Sequence, residues 1–363
     1  LIDMDKNVQK VESGGVDQDV RWRGGEAAPT NRQPVVVSED YQYFKEIFAH
    51  LKELAGRPGL RLALAVDTRD AVGEVDADTV AIVTSDENCQ LPVNVRDAGL
   101  ILKCHGVEPY PMPASPVLPA ALVERLRVAR ERRRWRADAA RLGPAGVAGL
   151  LAKTELVPMG YCKQLDLPLV PFAERRRVFS FRGSVDNYRA GLLSRHAVTN
   201  YPKRVARQRF LAALREVARE APADACDLRI TTDFDDSLKD AGRDYSTALM
   251  DSRFCLCPRG TRLETFRIFE GLRYGCITVT EALPDRWYLR GAPLLSVGDW
   301  RELPGLMRRL LADPERMAEL HHRSLAWWRD MISPLAIARR VLPRLERGGP
   351  ARHAAVGSAG GLG

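Results

Sequence analysis

Apolar residues along the chain fall into two kinds of run, short unbroken ones and longer ones spaced by three and four. Arg61-Leu62-Ala63-Leu64-Ala65-Val66, Thr79-Val80-Ala81-Ile82-Val83-Thr84 and Ala98-Gly99-Leu100-Ile101-Leu102-Lys103 are of the first kind. They lack polar alternation, as strands covered on both faces require. Val178-Phe179-Ser180-Phe181, Leu228 to Thr231, Phe254-Cys255-Leu256-Cys257 and Cys276-Ile277-Thr278-Val279 read the same way. Between them lie three helical stripes: Tyr41, Phe44, Ile47, Phe48 and Leu51; Val205, Phe210, Leu211, Leu214 and Val217; and Phe266, Phe269 and Leu272, closing at Gly275. Strands alternating with helices predict α/β architecture with parallel sheets and right-handed crossovers.

The pattern starts near Val35, and residues 1–33, polar and aperiodic, are read as a flexible arm. A first α/β domain is expected over 34–153 and a second over 154–332, with a helix over 333–347. The glycine- and alanine-rich tail, 348–363, is read as disordered. Pro109 to Pro119 is read as a segment that crosses the surface between domains or shapes a cleft wall. Leu122, Leu126 and Ala129 set a helical pattern that runs into Arg132-Arg133-Arg134-Trp135-Arg136. That cluster reads first as a solvated helix face and second as a membrane or polyanion contact. Arg175, Arg176, Arg177 and the pair His321-His322 are assigned to the surface.

Two blocks carry candidate chemistry. After the strand Phe254 to Cys257, Pro258-Arg259-Gly260 breaks the chain before a helix that opens near Thr265. A loop between the carboxyl end of a parallel strand and a helix amino terminus is where open α/β sheets bind anions, with free N–H groups and the helix dipole turned toward the ligand. Arg259, Arg262 and Arg267 add positive charge there, and Thr261 and Thr265 add hydroxyls. Arg267 and Glu270, three apart, share a helical face, and a carboxylate one turn beyond a phosphate site can accept hydrogen bonds from a ribose diol. The competing reading makes Arg267 and Glu270 an ordinary surface ion pair, worth at most about 1 kcal/mol. In the second block, Val178-Phe179-Ser180-Phe181-Arg182-Gly183-Ser184 runs from a strand into a small loop, followed by Arg189 and Arg195. Gly183 and Ser184 would let backbone N–H groups approach a diphosphate, with Arg182 or Arg189 neutralising it.

Phe254-Cys255-Leu256-Cys257-Pro258-Arg259-Gly260, the spacing Thr265-x-Arg267-x-x-Glu270 and Tyr274-Gly275-Cys276-Ile277-Thr278-Val279 resemble the nucleotide-sugar-binding signature of exostosin-like glycosyltransferases. Thr265 stands where that family usually has serine, and Thr278 where it has proline. The block around Arg182-Gly183-Ser184 resembles a second family segment, and Val157-Pro158-Met159-Gly160-Tyr161 resembles the proline-glycine-tyrosine stretch that precedes the donor domain. The resemblance covers residues 154 to 332. It implies two Rossmann-like domains facing a cleft, the GT-B architecture, in which the second domain binds a nucleotide sugar and the first binds a glycan or glycoconjugate acceptor. Inverting transfer without a metal or other cofactor, from a uridine diphosphate donor, is the expectation.

Such a transfer needs a base in the first half. Asp86 and Glu87, just past the strand ending at Thr84, lead the candidates, with His105 next and Asp67 third. Each also has a structural reading, as a turn, capping or hydrogen-bonding residue. Asp233-Phe234-Asp235-Asp236 is the alternative metal-binding motif, set below the arginine site.

The net charge of +8 on 363 residues suits an anionic partner: a nucleotide sugar, an acidic glycan, an anionic membrane or nucleic acid. The aromatics do not interleave with the basic clusters as single-strand stacking requires, so nucleic acid is not expected. Seven cysteines show no paired spacing except Cys255-x-Cys257, which reads as strand packing and not as a zinc ribbon or a disulfide framework. No secretory core or membrane span is seen, which places the protein in the cytoplasm, with peripheral contact at the inner membrane open. The chain starts at Leu1 and not at methionine, which leaves an upstream anchor open. The alternatives are a fucosyl- or heptosyl-type transferase using a guanosine or adenosine diphosphate donor, and a non-catalytic polyanion binder.

Overall fold

The structure is a computed structural model that describes residues 41–348, apart from 71, 86, 113–114, 116, 162–163, 165, 185–194, 223 and 232–242. The expected arm over 1–33, Asp86, Arg189, Asp233 to Asp236 and the tail past 348 lie outside the described residues.

Two parallel sheets organise the chain. In the first, β1 (Arg61–Ala65), β2 (Thr79–Val83), β3 (Leu100–Lys103) and β4 (Thr154–Leu156) lie side by side in chain order. In the second, β5 (Arg177–Ser184), β6 (Cys226–Thr231), β7 (Ser252–Cys257), β8 (Ile277–Glu281) and β9 (Leu295–Val297) are ordered β6-β5-β7-β8-β9, again all parallel. The unbroken apolar runs are these strands; β2 and β3 are buried at every position. Helices cover the faces: α1 (Gln42–Ala55), α2 (Leu118–Ala152), α3 (Arg195–Glu220), α4 (Arg243–Met250), α5 (Phe266–Arg273), α6 (Leu303–Leu311), α7 (Pro314–Trp327) and α8 (Pro334–Gly348).

Strand alternation sends side chains into three cores. Ala63, Ala81, Val83 and Ile101 pack with Leu150 of α2 on one face of the first sheet. Leu62, Val80, Ile82, Leu100 and Leu102 on its other face meet Tyr43, Phe44, Ile47 and Leu51 of α1 and Ile337, Val341 and Leu345 of α8. This middle core runs on to Ile268, Phe269 and Leu272 of α5, so apolar packing is continuous between the two sheets. Phe179, Phe181, Phe254 and Leu256 form the third with Phe210, Leu214 and Val217 of α3 and Leu303 and Met307 of α6.

Three expectations change. On α2, Leu122 and Leu126 point outward, while Glu124, Arg127, Val128 and Glu131 are buried. The inner side of this helix faces arginines of the second half, so ion pairs and not leucines fill it. Arg175, expected on the surface, is buried: it donates to the Ser252 carbonyl at 2.8 Å and to the Tyr274 carbonyl, and its guanidinium lies 5.4 Å from the Phe172 ring centre. Two bonds to backbone carbonyls and an aromatic face compensate its desolvation. His321, also expected outside, is buried against Phe172, with Nδ1 2.7 Å from the carbonyl of Gly275. Gly275 has φ 67°, the left-handed turn expected after α5, and a Cβ there would fall 2.5 Å from that imidazole.

Candidate functional site

In the second sheet β5 has β6 on one side and β7 on the other. β5 is followed in the chain by β6 on one side and β7 by β8 on the other, a topological switch point that makes the ends of Gly183-Ser184 and the loop over residues 258–265 the candidate crevice. That loop ends at Thr265, the residue before α5, whose extended backbone (φ −138°, ψ 153°) sets it to cap the helix. It makes no capping bond, and its buried hydroxyl has no partner among the described residues. Leaving a buried hydroxyl unpaired costs about 1–3 kcal/mol, which makes this group a candidate donor to a ligand.

Two arginines meet beside it. Arg267, in the first turn of α5, lays its guanidinium 4.4 Å from the ring centre of Phe181 and donates to the carbonyl of Arg182. A Cβ at Gly183 would stand 3.3 Å from Nη2 of Arg267, so the glycine admits this close approach. Arg207, on α3, donates to the Arg259 carbonyl at 3.0 Å, to the Ser184 carbonyl, and to Ser184 Oγ at 3.4 Å. Burial, and then the like charge of Arg267, push the Arg207 pKa down to about 10, against the pull of Glu87 and Glu281. Arg207, half-buried, thus holds a charge that desolvation and a second cation both disfavour. A group with several anionic oxygens would relieve it.

Arg207 is the site residue that sequence reading missed. It lies three, seven and ten positions before Phe210, Leu214 and Val217, hence on the buried stripe of α3. A charge on an otherwise apolar stripe was the available signal.

The remaining candidates divide. Glu270 is buried and accepts from Tyr245 Oη at 2.6 Å. Arg182 turns its side chain to Asp227, Nη2 to Oδ2 3.1 Å, and its carbonyl accepts from Arg267. Arg259 pairs with Glu124 of α2 at 2.5 Å, and Gly260 accepts from Arg259 Nε at 3.4 Å. The charges of Arg182 and Arg259 are thus already paired, while Arg207 and Arg267 bond through carbonyls and a hydroxyl. Asp67 accepts from the backbone N–H of Arg69 at 3.2 Å, within its own turn. Glu87 is half-buried and near enough to Arg207 to strengthen its hold on a proton.

The first half closes on the loop through a buried ionic seam. Arg262 is fully buried, donates to Glu131 at 2.5 Å and to the carbonyl of Glu87, and lies 5.2 Å from the ring centre of Tyr110. Arg286 flanks the same ring at 5.2 Å and donates to the carbonyl of His105 at 2.8 Å. Glu264 accepts from Tyr288 Oη at 2.6 Å, and burial pushes its carboxyl up from the ordinary range despite Arg286 at 3.7 Å. His105 itself is buried with φ 62°, and the thiol of Cys89, with φ 54°, donates to its carbonyl at 3.3 Å. Two adjoining non-glycine residues in the left-handed region store of order 1–3 kcal/mol each, where the first sheet meets the loop.

Residues 160–303 match the Exostosin GT47 domain. The chain is similar to ribitol-5-phosphate xylosyltransferase 1 of Danio rerio, 35% identical over 103 residues that make up 24% of this chain and 24% of that protein. It is similar to exostosin-1 of Drosophila melanogaster, 36% identical over 97 residues, 23% of this chain and 12% of that one. The exostosin-1 homolog of Caenorhabditis elegans is 37% identical over 82 residues, 22% of this chain and 20% of its own. The chain aligns with no more than 24% of the length of any of these three relatives.

Proposed function

We infer, from a chain whose residues 160–303 carry an exostosin GT47 domain, that the protein is a glycosyltransferase of GT-B type. It moves a sugar from a nucleoside diphosphate donor, a uridine one by preference, to a hydroxyl of a glycan or glycoconjugate. The observation that carries this reading is the pair Arg207 and Arg267 beside a Thr265 hydroxyl with no partner among the described residues, at the switch point of a parallel sheet.

In this reading the diphosphate lies between Gly183-Ser184 and the amino end of α5. Arg207 and Arg267 neutralise it, Thr265 donates to it, and Glu270, fixed by Tyr245, takes the ribose hydroxyls. Glu87 is the base of choice because, of the candidates in the first half, its charge is the one that reaches Arg207. The acceptor oxygen attacks the anomeric carbon from the side opposite the diphosphate and gives its proton to the Glu87 carboxylate. The bond from that carbon to phosphate breaks, its electron pair stays on the departing oxygen, and the arginines hold the new charge, so configuration inverts. Arginines in this role make a metal unnecessary to the step.

The test is incubation with a panel of uridine, guanosine and adenosine diphosphate sugars, with and without a chelator, while diphosphate release is measured. Uridine diphosphate release unaffected by chelator is expected. Arg207→Ala should weaken binding of uridine diphosphate about 10- to 100-fold, the value of one or two charge-assisted hydrogen bonds. Turnover of guanosine or adenosine donors alone would move the protein to a fucosyl- or heptosyl-type chemistry. No release from any donor would leave a polyanion-binding protein.

A further inference from the structure

The outer face of α2 has no role in the site. Leu118, Leu122 and Leu126 are 82%, 56% and 63% exposed, and their spacing of four sets them in one stripe over the first turns of the helix. The same outward face continues with Arg125, Ala129, Arg132, Arg133 and Arg136, all exposed. Over Leu118 to Ala137, the acidic residues of the helix are Glu124 and Glu131, and both are buried on the opposite side, bound to Arg259 and Arg262. None of the four outward arginines has a carboxylate partner among the described residues. The first turns of this surface carry the leucines with Arg125 among them, and the turns beyond carry Arg132, Arg133 and Arg136.

We propose that this face docks α2 on an anionic phospholipid bilayer. Solvent does not suit three neighbouring exposed leucines. A nucleic acid would meet the arginines, yet the leucines offer bases no stacking surface. A bilayer interface satisfies both groups, with leucines in the acyl boundary and arginines among phosphate and carboxylate headgroups. Because the leucines lead and three of the four arginines follow along the axis, the helix meets the surface tilted, with its Leu118 end deeper. No helix among the described residues is long and apolar enough to cross a membrane, so the contact is a lying one. The proposal is independent of the transfer reaction.

The test is flotation of the full chain with vesicles of phosphatidylcholine alone and of phosphatidylcholine with one third phosphatidylserine. Binding to the second kind is expected, and its loss at about 0.5 M salt, where charges are screened within a few Å. Each arginine near such a surface is worth roughly a fivefold change in partition, so R125Q/R132Q/R133Q/R136Q should lower binding by at least about tenfold. L118S/L122S/L126S should lower it comparably while leaving the circular dichroism melt unchanged, since these side chains already face water. Equal binding to both vesicles, no binding to either, or unaltered binding by both variants overturns the proposal. So does a parent dimer that the leucine variant converts to monomer, which would assign the face to a second copy of the chain.

Discussion

At the scale of single residues the candidate crevice joins arginines bound through carbonyls to one hydroxyl without a partner among the described residues. Thr265→Val keeps the shape and deletes a hydroxyl that has no partner among the described residues. Its urea midpoint should match the parent or rise slightly, while affinity for uridine diphosphate falls about tenfold, near the 1.4 kcal/mol of a single hydrogen bond. A variant that binds as tightly as the parent would turn that hydroxyl away from the diphosphate. Arg182 illustrates the opposite case, since its partner Asp227 is held below its ordinary pKa of 3.8, burial being outweighed by Arg182, Arg229 and Arg177. A depressed carboxylate stabilises the fold above 3.8 and loses that contribution as pH falls through the lower folded value. Asp227→Asn should therefore be less stable than the parent at neutral pH, with the gap closing in acid, measured by urea titrations from pH 6 down to about pH 2.

At the scale of elements, the position of α5 decides where Arg267 and Glu270 stand. Its Gly271 lies so close to β7 that a Cβ would fall 2.6 Å from the Cβ of Cys255 and 2.8 Å from Thr278 Oγ1. Glycine to alanine in a free helix gains about 1 kcal/mol, whereas overpacking a core costs about 1–3. The clash is with a buried strand that cannot retreat, so Gly271→Ala should be net destabilising by about 1–2 kcal/mol in denaturant titration. It should also weaken nucleotide binding, because α5 must lift and carry both side chains with it. Elements of this kind were legible in sequence: β7, β8 and α5 announce themselves by unbroken apolar runs, a breaker and a helical stripe. β4 and β9, three residues each, carry too few positions for any period to show. α2 misled because its inward residues are charged; periodicity finds a stripe but not which side of it meets other charges. Arg207 showed only as a charge on an apolar stripe, and its meaning depends on Arg267 and Ser184, both distant in sequence.

At the scale of the molecule, the buried pair Arg262–Glu131 ties α2 to the loop that opens the crevice. Glu131→Ala would strand a guanidinium with no exposure, and removing one partner of a buried pair costs about 3–5 kcal/mol. We expect a loss of that size by urea unfolding, together with weaker nucleotide binding. The double variant Glu131→Met, Arg262→Met should recover most of the stability but not the binding, since it removes the stranded charge without restoring the loop. The continuity of the middle core has a kinetic meaning as well. Ile337, Val341 and Leu345 of α8 cover the same face of the first sheet as α1, nearly three hundred residues earlier, and the hydroxyl of Tyr43 reaches the carbonyl of Ile332 at 2.7 Å. Such distant pairings slow folding, and during synthesis Tyr43, Phe44 and the neighbouring strands must wait, with their oily side uncovered, until α8 leaves the ribosome. A nascent chain halted before Pro334 should therefore be held by chaperones, and released when translation resumes.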